Sequence, residues 1–527
     1  MLRETTAQRR YLFLSKAWLD QARRLPQPDP ARHSTIEIRL VITDPPPGVV
    51  AGVDIRIDLD SGLLAFAPAT AEEPKVQLNV RYAAALSFLF GSPQQRVETF
   101  EREGTDLTGN FTLLFFADAA LQQDKSGYVA AMRAGTRLQP GTGPAGTAAT
   151  APAPPPGDEM ARLRDFLPRT AAELAAELGV STPGVQLYVS QAGRVLADAG
   201  LGFARPGVPL TSRSLPIWYC ICKPFVPLAL GRLWEGGRFD PYRPIADYIP
   251  EFGVGGKSTI TAAALLTHTG PIPAGIDPLH GMPAGPDEER RARAFSVRVP
   301  AEALARRVIN YSPYWAWFVL AELIRAVDGR DHADYVTEEL LRPCEARETR
   351  LRLTAAEFAE HEQTLPLIHV RNVRNAPRPT YWQSTFPTTT RCIPGVNTRG
   401  PMADLGKVLE ALLAGGVAPG GRIIGADMLA TLTSRHRTGI FDRYGSADWG
   451  LGFRVECRQL GREYLSFGSH VSPRAYGHDG FGLSTSFVDP DHGLVVVVNV
   501  NGMIEASLHK DRMLRIVDAV YADLKLA

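Results

Sequence analysis

The sequence lacks several features that would assign it to a special class of protein. No uninterrupted apolar stretch approaches the roughly 18 residues of a membrane-spanning helix, and the longest candidates, such as 494–500, have the length of a strand. The N-terminus, MLRETTAQRR, has no apolar core of the kind that a secretory signal needs. The five cysteines are odd in number and predict no disulfide framework. Together these absences favour a cytoplasmic, reduced protein.

An excess of charge of one sign is also missing. Lys plus Arg total 57 against 56 for Asp plus Glu, a net charge of +1, which gives no electrostatic reason for a nucleic-acid or anionic-membrane partner. His268, His436 and His470 lack the spacing of metal ligands, so no metal or other cofactor is expected. The 527 residues leave room for two to four domains of an ordinary globular protein.

A segment rich in Pro, Gly, Ala and Thr divides the chain. Residues 139–160 read QPGTGPAGTAATAPAPPPGDEM, and most of this stretch has too little apolar surface to fold. We therefore predict a linker here, with a small α+β domain at 1–138 and a larger domain at 161–527.

The first domain carries a recognisable order of elements. Apolar residues alternate at 36–42 and again at 54–62, as in half-buried strands. A third strand at 76–80, a helix at 81–89 and a glycine-led apolar segment at 109–118 follow. This order resembles sterol-carrier-like lipid-binding domains, which implies an apolar tunnel for acyl chains or another hydrophobic ligand. A packing or dimerisation domain with a filled core is the alternative, and the sequence leaves both open.

The second domain contains a thiol and an amine at a suggestive spacing. Strands are predicted within 185–200, with a hairpin at Ala192 and Gly193. Cys220 and Lys223 then stand three residues apart, so a helix would place both on one face. If the segment opens a helix, the positive end of the helix dipole favours the thiolate of Cys220.

Further motifs follow in order: LLTHTG at 265–270, NYSPYW at 310–315 and YGHDGFG at 476–482. The series resembles the class C β-lactamase, penicillin-binding-protein and esterase family from residue 162 to the C-terminus. The family's fold is an antiparallel sheet flanked by helices, with an all-helical region. Its S-x-x-K element holds the nucleophile, and Cys220 stands where the family has serine.

The resemblance implies a set of site residues. Cys220 would be the nucleophile, Lys223 its partner, Tyr311 the second general acid or base, and His478 the histidine of an H-x-G strand motif. The backbone amides of Cys220 and Phe481 would form the oxyanion hole. The resemblance also suggests that substrate binding involves Gly480, Pro313 and Trp449.

Several positions carry a second interpretation. Pro313 occupies the family's asparagine position, which argues against β-lactam or peptide-amide recognition because the side-chain amide is missing. Trp449 either lines the pocket or packs the core, and His268 is expected to be scaffold. Cysteines outside the motif position are predicted to be core residues: Cys222, Cys344, Cys392 and Cys457. By itself Cys220 would be an inert buried thiol, and the sequence does not distinguish a natural cysteine from an engineered replacement.

A thiol changes the expected chemistry. Cysteine is the stronger nucleophile and needs less help from a base, so Lys223 can stay protonated and pair with the thiolate. The intermediate would be a thioester, which reacts well with amines. We therefore predict an amide-forming acyltransferase of specialised metabolism that uses a small-molecule or carrier-bound donor and an amine-type acceptor. A carboxylesterase and a non-catalytic lipid-binding scaffold are the alternatives.

Overall fold

The computed structural model describes a defined part of the chain. The described residues are 11–23, 35–59, 63–69, 74, 76–91, 96, 106–109, 117, 120–121, 136–137, 158–270, 277, 279, 286–300, 311–371, 377–440, 448–461 and 464–527. The chain divides into two units. The first comprises Met1–Ala149, His280–Met282 and Val370–Pro387, and the second comprises Thr150–Leu279, Pro283–His369 and Thr388–Ala527.

The described residues contain α-helices and strands, numbered here in chain order. The α-helices are α1 Lys16–Ala22, α2 Tyr82–Phe90, α3 Asp158–Phe166, α4 Pro168–Glu177, α5 Phe225–Glu235, α6 Ala262–Leu266, α7 Asp287–Ser296, α8 Trp315–Asp328, α9 His332–Val336, α10 Ala355–His361, α11 Phe386–Thr390, α12 Met402–Leu413, α13 Ala426–Thr433 and α14 Ala506–Asp523. The strands are β1 Tyr11–Leu12, β2 Thr35–Ile42, β3 Gly52–Asp58, β4 Leu64–Pro68, β5 Val76–Val80, β6 Asp106–Gly109, β7 Thr136–Arg137, β8 Gly184–Gln191, β9 Arg194–Arg205, β10 Val208–Pro209, β11 Ile368–Val370, β12 Arg378–Thr380, β13 Val417–Ala418, β14 Gly421–Arg422, β15 Arg454–Val455, β16 Tyr476–Gly480, β17 Ser484–Asp489, β18 Leu494–Val500 and β19 Gly502–Met503.

The first unit is built on a five-stranded sheet in the order β4-β3-β2-β5-β6. Strands β2 and β5 run parallel and the other neighbours run antiparallel. Alternate residues of β2 are buried, as its sequence period predicts. The structure confirms the strand predictions at 36–42 and 76–80 and places the predicted helix at Tyr82–Phe90.

The buried side chains of this unit include a cluster of aromatic rings. The ring of Phe13 lies 4.9 Å from that of Trp18 and 5.4 Å from that of Phe90, and Trp18 also contacts Phe66 at 5.1 Å. Most of the glycine-led segment predicted at 109–118 lies outside the described residues. The sterol-carrier-like character of the unit therefore stays a prediction.

The second unit contains a seven-stranded sheet in the order β10-β9-β8-β18-β17-β16-β15, with neighbouring strands antiparallel. The predicted hairpin joins β8 to β9 through Ala192 and Gly193, which both have positive φ, at 50° and 75°. Two such residues suit a turn that follows the right-handed twist of its strands.

Helices cover both faces of this sheet. On one face, Val496 and Val498 of β18 share a buried cluster with Ile516 and Val520 of α14. On the other face, α12 approaches so closely that a Cβ at Gly406 would collide with the ring of Tyr188. With helices on both sides, all seven residues of β18 are buried, which explains why all of them except Asn499 are apolar.

Away from the sheet, α5 packs against α8, α9 and α13. The predicted linker ends earlier than 160, because α3 begins at Asp158, and residues 139–157 lie outside the described part. None of the described helices has the length and apolar character needed to cross a bilayer.

Candidate active site

Cys220 lies on a 3-10 helical turn, Tyr219–Cys222, ahead of α5. A helix that opened at this segment would have favoured the thiolate, but α5 begins only at Phe225. Lys223 and Pro224 have right-handed helical dihedral angles and connect the turn to the helix. The nucleophile position therefore precedes the α-helix by more than one turn, where the helix dipole is weak.

Backbone hydrogen bonds fix this turn against its neighbours. The Trp218 amide donates to the carbonyl of Thr398 at 2.9 Å, and the Trp218 indole donates to the carbonyl of Gly400 at 2.7 Å. The hydroxyl of Ser484, on β17, donates to the carbonyl of Trp218 at 3.1 Å. Tyr219, directly before Cys220, has a φ of 50°. This conformation costs a non-glycine residue about 1–3 kcal/mol and persists only where the surroundings hold it.

Tyr311 reaches the thiol from the segment before α8. Its hydroxyl donates a hydrogen bond to Cys220 Sγ at 3.2 Å. Cys220 is itself 7% exposed, so little water competes for its sulfur. The structure thus brings together the predicted nucleophile and the predicted second acid or base.

Lys223 is fully buried, and protein oxygens accept from its amine. Nζ donates to the carbonyl of Pro313 at 2.9 Å and to that of Gly395 at 3.1 Å. It also lies 4.5 Å from the centre of the Trp317 ring, a geometry that stabilises a cation. At the family's asparagine position, Pro313 thus contributes its backbone carbonyl to Lys223.

Gly395 was not singled out by the sequence analysis. It has a φ of 72°, and a Cβ there would lie 2.5 Å from Trp317 Cδ1 and 2.9 Å from Lys223 Cγ. Glycine is therefore required for the backbone to approach the Lys223 amine. An isolated glycine in the sequence carries no signal for this role.

His478 lies on β16 and is buried beside the site. Burial lowers the pKa of its imidazole well below the ordinary value, and the nearby Lys223 and Arg454 cations lower it further. Nδ1 lies 2.7 Å from the carbonyl of Asp479, so Nδ1 carries the proton of the neutral ring. That tautomer leaves Nε2 as an acceptor. Among the described residues, nothing hydrogen bonds to this Nε2.

His268 lies closer to the chemistry than its predicted scaffold role suggested. Its ring centre is 4.4 Å from that of Tyr311 and 4.9 Å from that of Trp317, on which it stacks. The backbone amide of Ser312 donates to its Nδ1 at 3.5 Å. Burial, followed by the Lys223 charge, lowers the pKa of His268 well below its ordinary range. It is therefore a neutral ring that supports Tyr311.

Trp449 connects the two histidines. Its ring lies 4.7 Å from His268, 5.4 Å from His478 and 6.1 Å from Tyr311. The side chain is 1% exposed. Of the two interpretations of Trp449, pocket lining and core packing, its position therefore agrees with core packing. Its ring lies beside that of Tyr311.

Gly480 and Phe481 lie where β16 ends. A Cβ at Gly480 would lie 2.6 Å from the carbonyl oxygen of Trp218 and would also strike Ser484 Oγ. The structure thus gives a reason for this glycine that was not predicted: it lets β16 pack against the turn of Cys220. Phe481 is 36% exposed and contacts the ring edge of Tyr219 at 6.0 Å, at the rim of the site.

The other cysteines have a different environment from a reactive thiol. All five cysteines are free. Burial raises the pKa of Cys222 to about 11 and the pKa values of Cys344 and Cys392 to about 12, which keeps these thiols protonated and unreactive. Among the described residues, no cluster of His, Cys, Asp or Glu side chains could hold a metal ion.

The predicted catalytic residues differ in how closely they approach one another. Tyr311 hydrogen bonds to Cys220 and lies beside the Lys223 amine, while the His478 ring lies against that of Trp449. Among the described residues, no hydrogen bond joins His478 to any of the three. Such an arrangement can perform nucleophilic chemistry at Cys220, with proton transfer at Tyr311.

The chain is similar to proteins of a known family. Residues 171–521 match the protein family described as Beta-lactamase. The chain is 25% identical over 355 residues to the esterase/beta-lactamase LipL of Mycobacterium tuberculosis (strain ATCC 25618 / H37Rv), an alignment covering 62% of this chain and 79% of that protein.

Solved structures resemble the second unit. A penicillin-binding-protein homologue from Caulobacter crescentus has a TM-score of 0.54 and 21% identity, covering 71% of this chain and 99% of that one. EstCE1, described as a hydrolase with promiscuous acyltransferase activity, has a TM-score of 0.55 and 18% identity, covering 69% and 99%. These likenesses show the fold alone. The family match over residues 171–521 goes further, and the chain belongs to the beta-lactamase family.

Proposed function

We propose that this protein is an acyltransferase that works through a thioester on Cys220. One observation carries the proposal: the Tyr311 hydroxyl donates to Cys220 Sγ at 3.2 Å while the buried Lys223 amine is held beside the same tyrosine, 5.8 Å from the centre of its ring. A hydrogen bond to sulfur and a nearby cation both favour the thiolate, which is the reactive form of cysteine.

The surroundings of Lys223 suit a protonated amine. Both of its hydrogen-bond partners are carbonyl oxygens, which only accept, and an ammonium group only donates. The Trp317 ring adds a cation–π contact. Lys223 would therefore act as a fixed positive charge, and Tyr311 would be the group that gives and takes protons.

The proposed reaction begins when the Cys220 thiolate attacks the carbonyl carbon of the donor. An S–C bond forms, and the carbonyl electron pair moves to oxygen. The backbone amides of Cys220 and Phe481 would hold this oxyanion, each donor being worth about 3 kcal/mol. The first amides of a helical turn have no partner within the turn, which suits Cys220 for this role. Collapse of the intermediate expels the leaving group, which takes its proton from Tyr311.

In the second half, an amine attacks the thioester carbonyl. Tyr311 accepts the amine's proton, the C–S bond breaks, and the thiolate of Cys220 returns. Gly480 and Phe481 would border the acyl group. The buried His478 would tune Tyr311 through the Trp449 ring, which lies 5.4 Å from His478 and 6.1 Å from Tyr311. Because Pro313 brings no side-chain amide, we expect esters or thioesters rather than β-lactams or peptide amides as donors.

Transfer and hydrolysis are competing outcomes of the same intermediate. A thioester discharges readily to amines, which favours transfer. The name of LipL supports an esterase as the second candidate, and EstCE1 is itself described as a hydrolase with promiscuous acyltransferase activity. A non-catalytic lipid-binding scaffold is the least favoured reading, because a scaffold has no need for the contact between Tyr311 and Cys220.

Two further proposals concern the whole chain. The first unit would be a sterol-carrier-like domain that presents a hydrophobic or carrier-bound acyl donor. We also propose that the protein acts in the cytoplasm, in specialised metabolism, without a metal or other cofactor.

The mass of the intact protein tests the proposal. The protein is exposed to activated esters, acyl thioesters and a β-lactam, and each adduct is mapped and then chased with water or a simple amine. We expect an adduct on Cys220 that amines discharge faster than water. Rapid loss in water, without acceleration by amines, would make the protein an esterase. No adduct with any donor would contradict both enzymatic candidates.

A further inference from the structure

A buried carboxylate holds the segment that carries the catalytic tyrosine. Asp277 is 4% exposed. Its oxygens accept from the Ser312 hydroxyl at 2.6 Å, the Tyr314 amide at 2.9 Å and the Trp315 amide at 3.0 Å. The same carboxylate accepts from the backbone amide of Leu279 at 3.0 Å. Each of its recorded contacts is therefore with a donor.

The turn of residues 312–315 is connected to the active site through two residues. Tyr311, whose hydroxyl contacts Cys220, comes directly before it. Pro313 lies within it and gives its carbonyl to Lys223 Nζ. A shift of this turn would therefore move both groups that approach the thiol.

The carboxylate also completes the beginning of α8. The first amides of a helix lack partners within the helix, and Asp277 accepts from that of Trp315, the first residue of α8. The Ser312 hydroxyl accepts from the next amide, that of Ala316, at 3.0 Å. A negative charge is stabilising at this end of a helix. Of the residues just before α8, Ser312 caps the amide of Ala316. The amide of Trp315 is capped by Asp277, which lies far away in the chain.

We propose that Asp277 is a positioning residue for Tyr311. By holding the turn at 312–315 it keeps the phenolic oxygen at Cys220 Sγ, without itself touching the reacting atoms. The inference rests on the proposed function, because it takes Tyr311 as the proton-transfer group.

Asp277→Asn is the diagnostic substitution. It preserves size but replaces an acceptor oxygen by an NH2 group, which would face backbone amides that also donate. We expect kcat to fall by about 100-fold, as for a displacement of about 1 Å in the reacting geometry, with a smaller change in KM. Ser312→Ala, which removes one donor to Asp277 and the acceptor for the Ala316 amide, should give a smaller loss of the same kind.

Asp489→Asn is the matched control. Asp489 is also fully buried and accepts from the Ser472 amide at 2.9 Å and the Tyr521 hydroxyl at 2.5 Å. Asp489 is the last residue of β17, whereas Ser484, which contacts the segment of Cys220, is the first. We expect the control to lower Tm but to leave kcat unchanged in the folded protein.

The rate at which iodoacetamide alkylates Cys220 gives a readout that needs no substrate. Because the Tyr311 hydroxyl favours the thiolate, Asp277→Asn and Tyr311→Phe should both slow alkylation at neutral pH, and combining them should add little. Equal alkylation rates in Asp277→Asn and wild type, or fully multiplicative effects in the double variant, would overturn the inference. If no donor acylates the wild type, the proposed function fails, and the alkylation rates still decide the role of Asp277.

Discussion

The phenolic oxygen of Tyr311 lies 3.2 Å from the sulfur of Cys220, although 91 residues separate them in the chain. The hydroxyl is the donor. A hydrogen bond to a charged acceptor is about twice as strong as one to a neutral acceptor, and the proposed mechanism places a thiolate at this sulfur. Four predictions follow from this site and its surroundings.

Cys220→Ala should abolish the acyl adduct, because the nucleophile is removed. Cys222→Ala is the matched control, since this neighbouring thiol is buried and its pKa is raised to about 11. We expect Cys222→Ala to keep the adduct and to lose about 1 kcal/mol of stability through the small cavity it leaves. Intact-protein mass and thermal unfolding measure the two effects. An adduct that persists in Cys220→Ala would place the nucleophile elsewhere.

Tyr311→Phe should lower kcat by about 100- to 10,000-fold, the usual contribution of a general acid or base. The ring itself remains, so its contact with His268 and the fold should be retained. Steady-state kinetics with the best donor from the mass experiment measures the loss, and Tm is the control. A variant with wild-type kcat would show that Tyr311 transfers no proton in the slow step.

Gly395→Ala should damage both stability and activity. The new methyl would lie 2.5 Å from Trp317 Cδ1 and 3.0 Å from Lys223 Nζ, and must displace one of them. Gly329→Ala is the control, because Gly329 also has a positive φ, 96°, but its Cβ would meet nothing within 4 Å. That control should cost about 1–2 kcal/mol for the backbone alone. Equal losses in Tm and equal kcat for the two variants would contradict the role assigned to Gly395.

Stability should fall as the pH drops from about 6.5 towards 4. Burial lowers the pKa values of His332 and His369 to about 4, below the value of roughly 6.5 in the unfolded chain. Between these values the unfolded chain binds more protons than the folded one. Each histidine then removes up to about 1.4 kcal/mol of unfolding free energy per pH unit, and this stability is fully present above pH 6.5.

Denaturant unfolding at several pH values from 7.5 to 4.5 measures this dependence. His332→Gln should make it less steep, because one of the titrating groups is gone. An unchanged slope in that variant would mean that His332 does not contribute. His268 and His478, whose pKa values are also lowered by burial, act in the same direction.

Local patterns in the sequence predicted many of the elements. Alternating apolar residues located β2, and the apolar run at 494–500 located β18, because side-chain period and burial follow directly from strand geometry. The sequence left open whether the segment of Cys220 opens a helix, and in the structure a 3-10 turn precedes α5, which begins at Phe225. Short-range spacing does not distinguish these two helical turns.

The motifs also identified residues that lie near one another in the structure, although their catalytic roles stay predictions. Tyr311 hydrogen bonds to Cys220, and the Lys223 amine lies 5.8 Å from the centre of the Tyr311 ring. His478 packs against Trp449 and makes no hydrogen bond to these three residues within the described part of the chain. His268 was taken as scaffold, yet its ring lies against Tyr311.

By itself, the sequence determined the thiol and amine three residues apart, the order of the motifs and the period of the main strands. Only the tertiary structure decided which distant groups complete the site. Gly395 reaches Lys223 across 172 positions and Asp277 reaches Ser312 across 35. Spacing encodes neighbours within a turn of helix or across a strand, whereas these contacts arise from how the helical region packs. For that reason no local pattern marked Gly395 or Asp277.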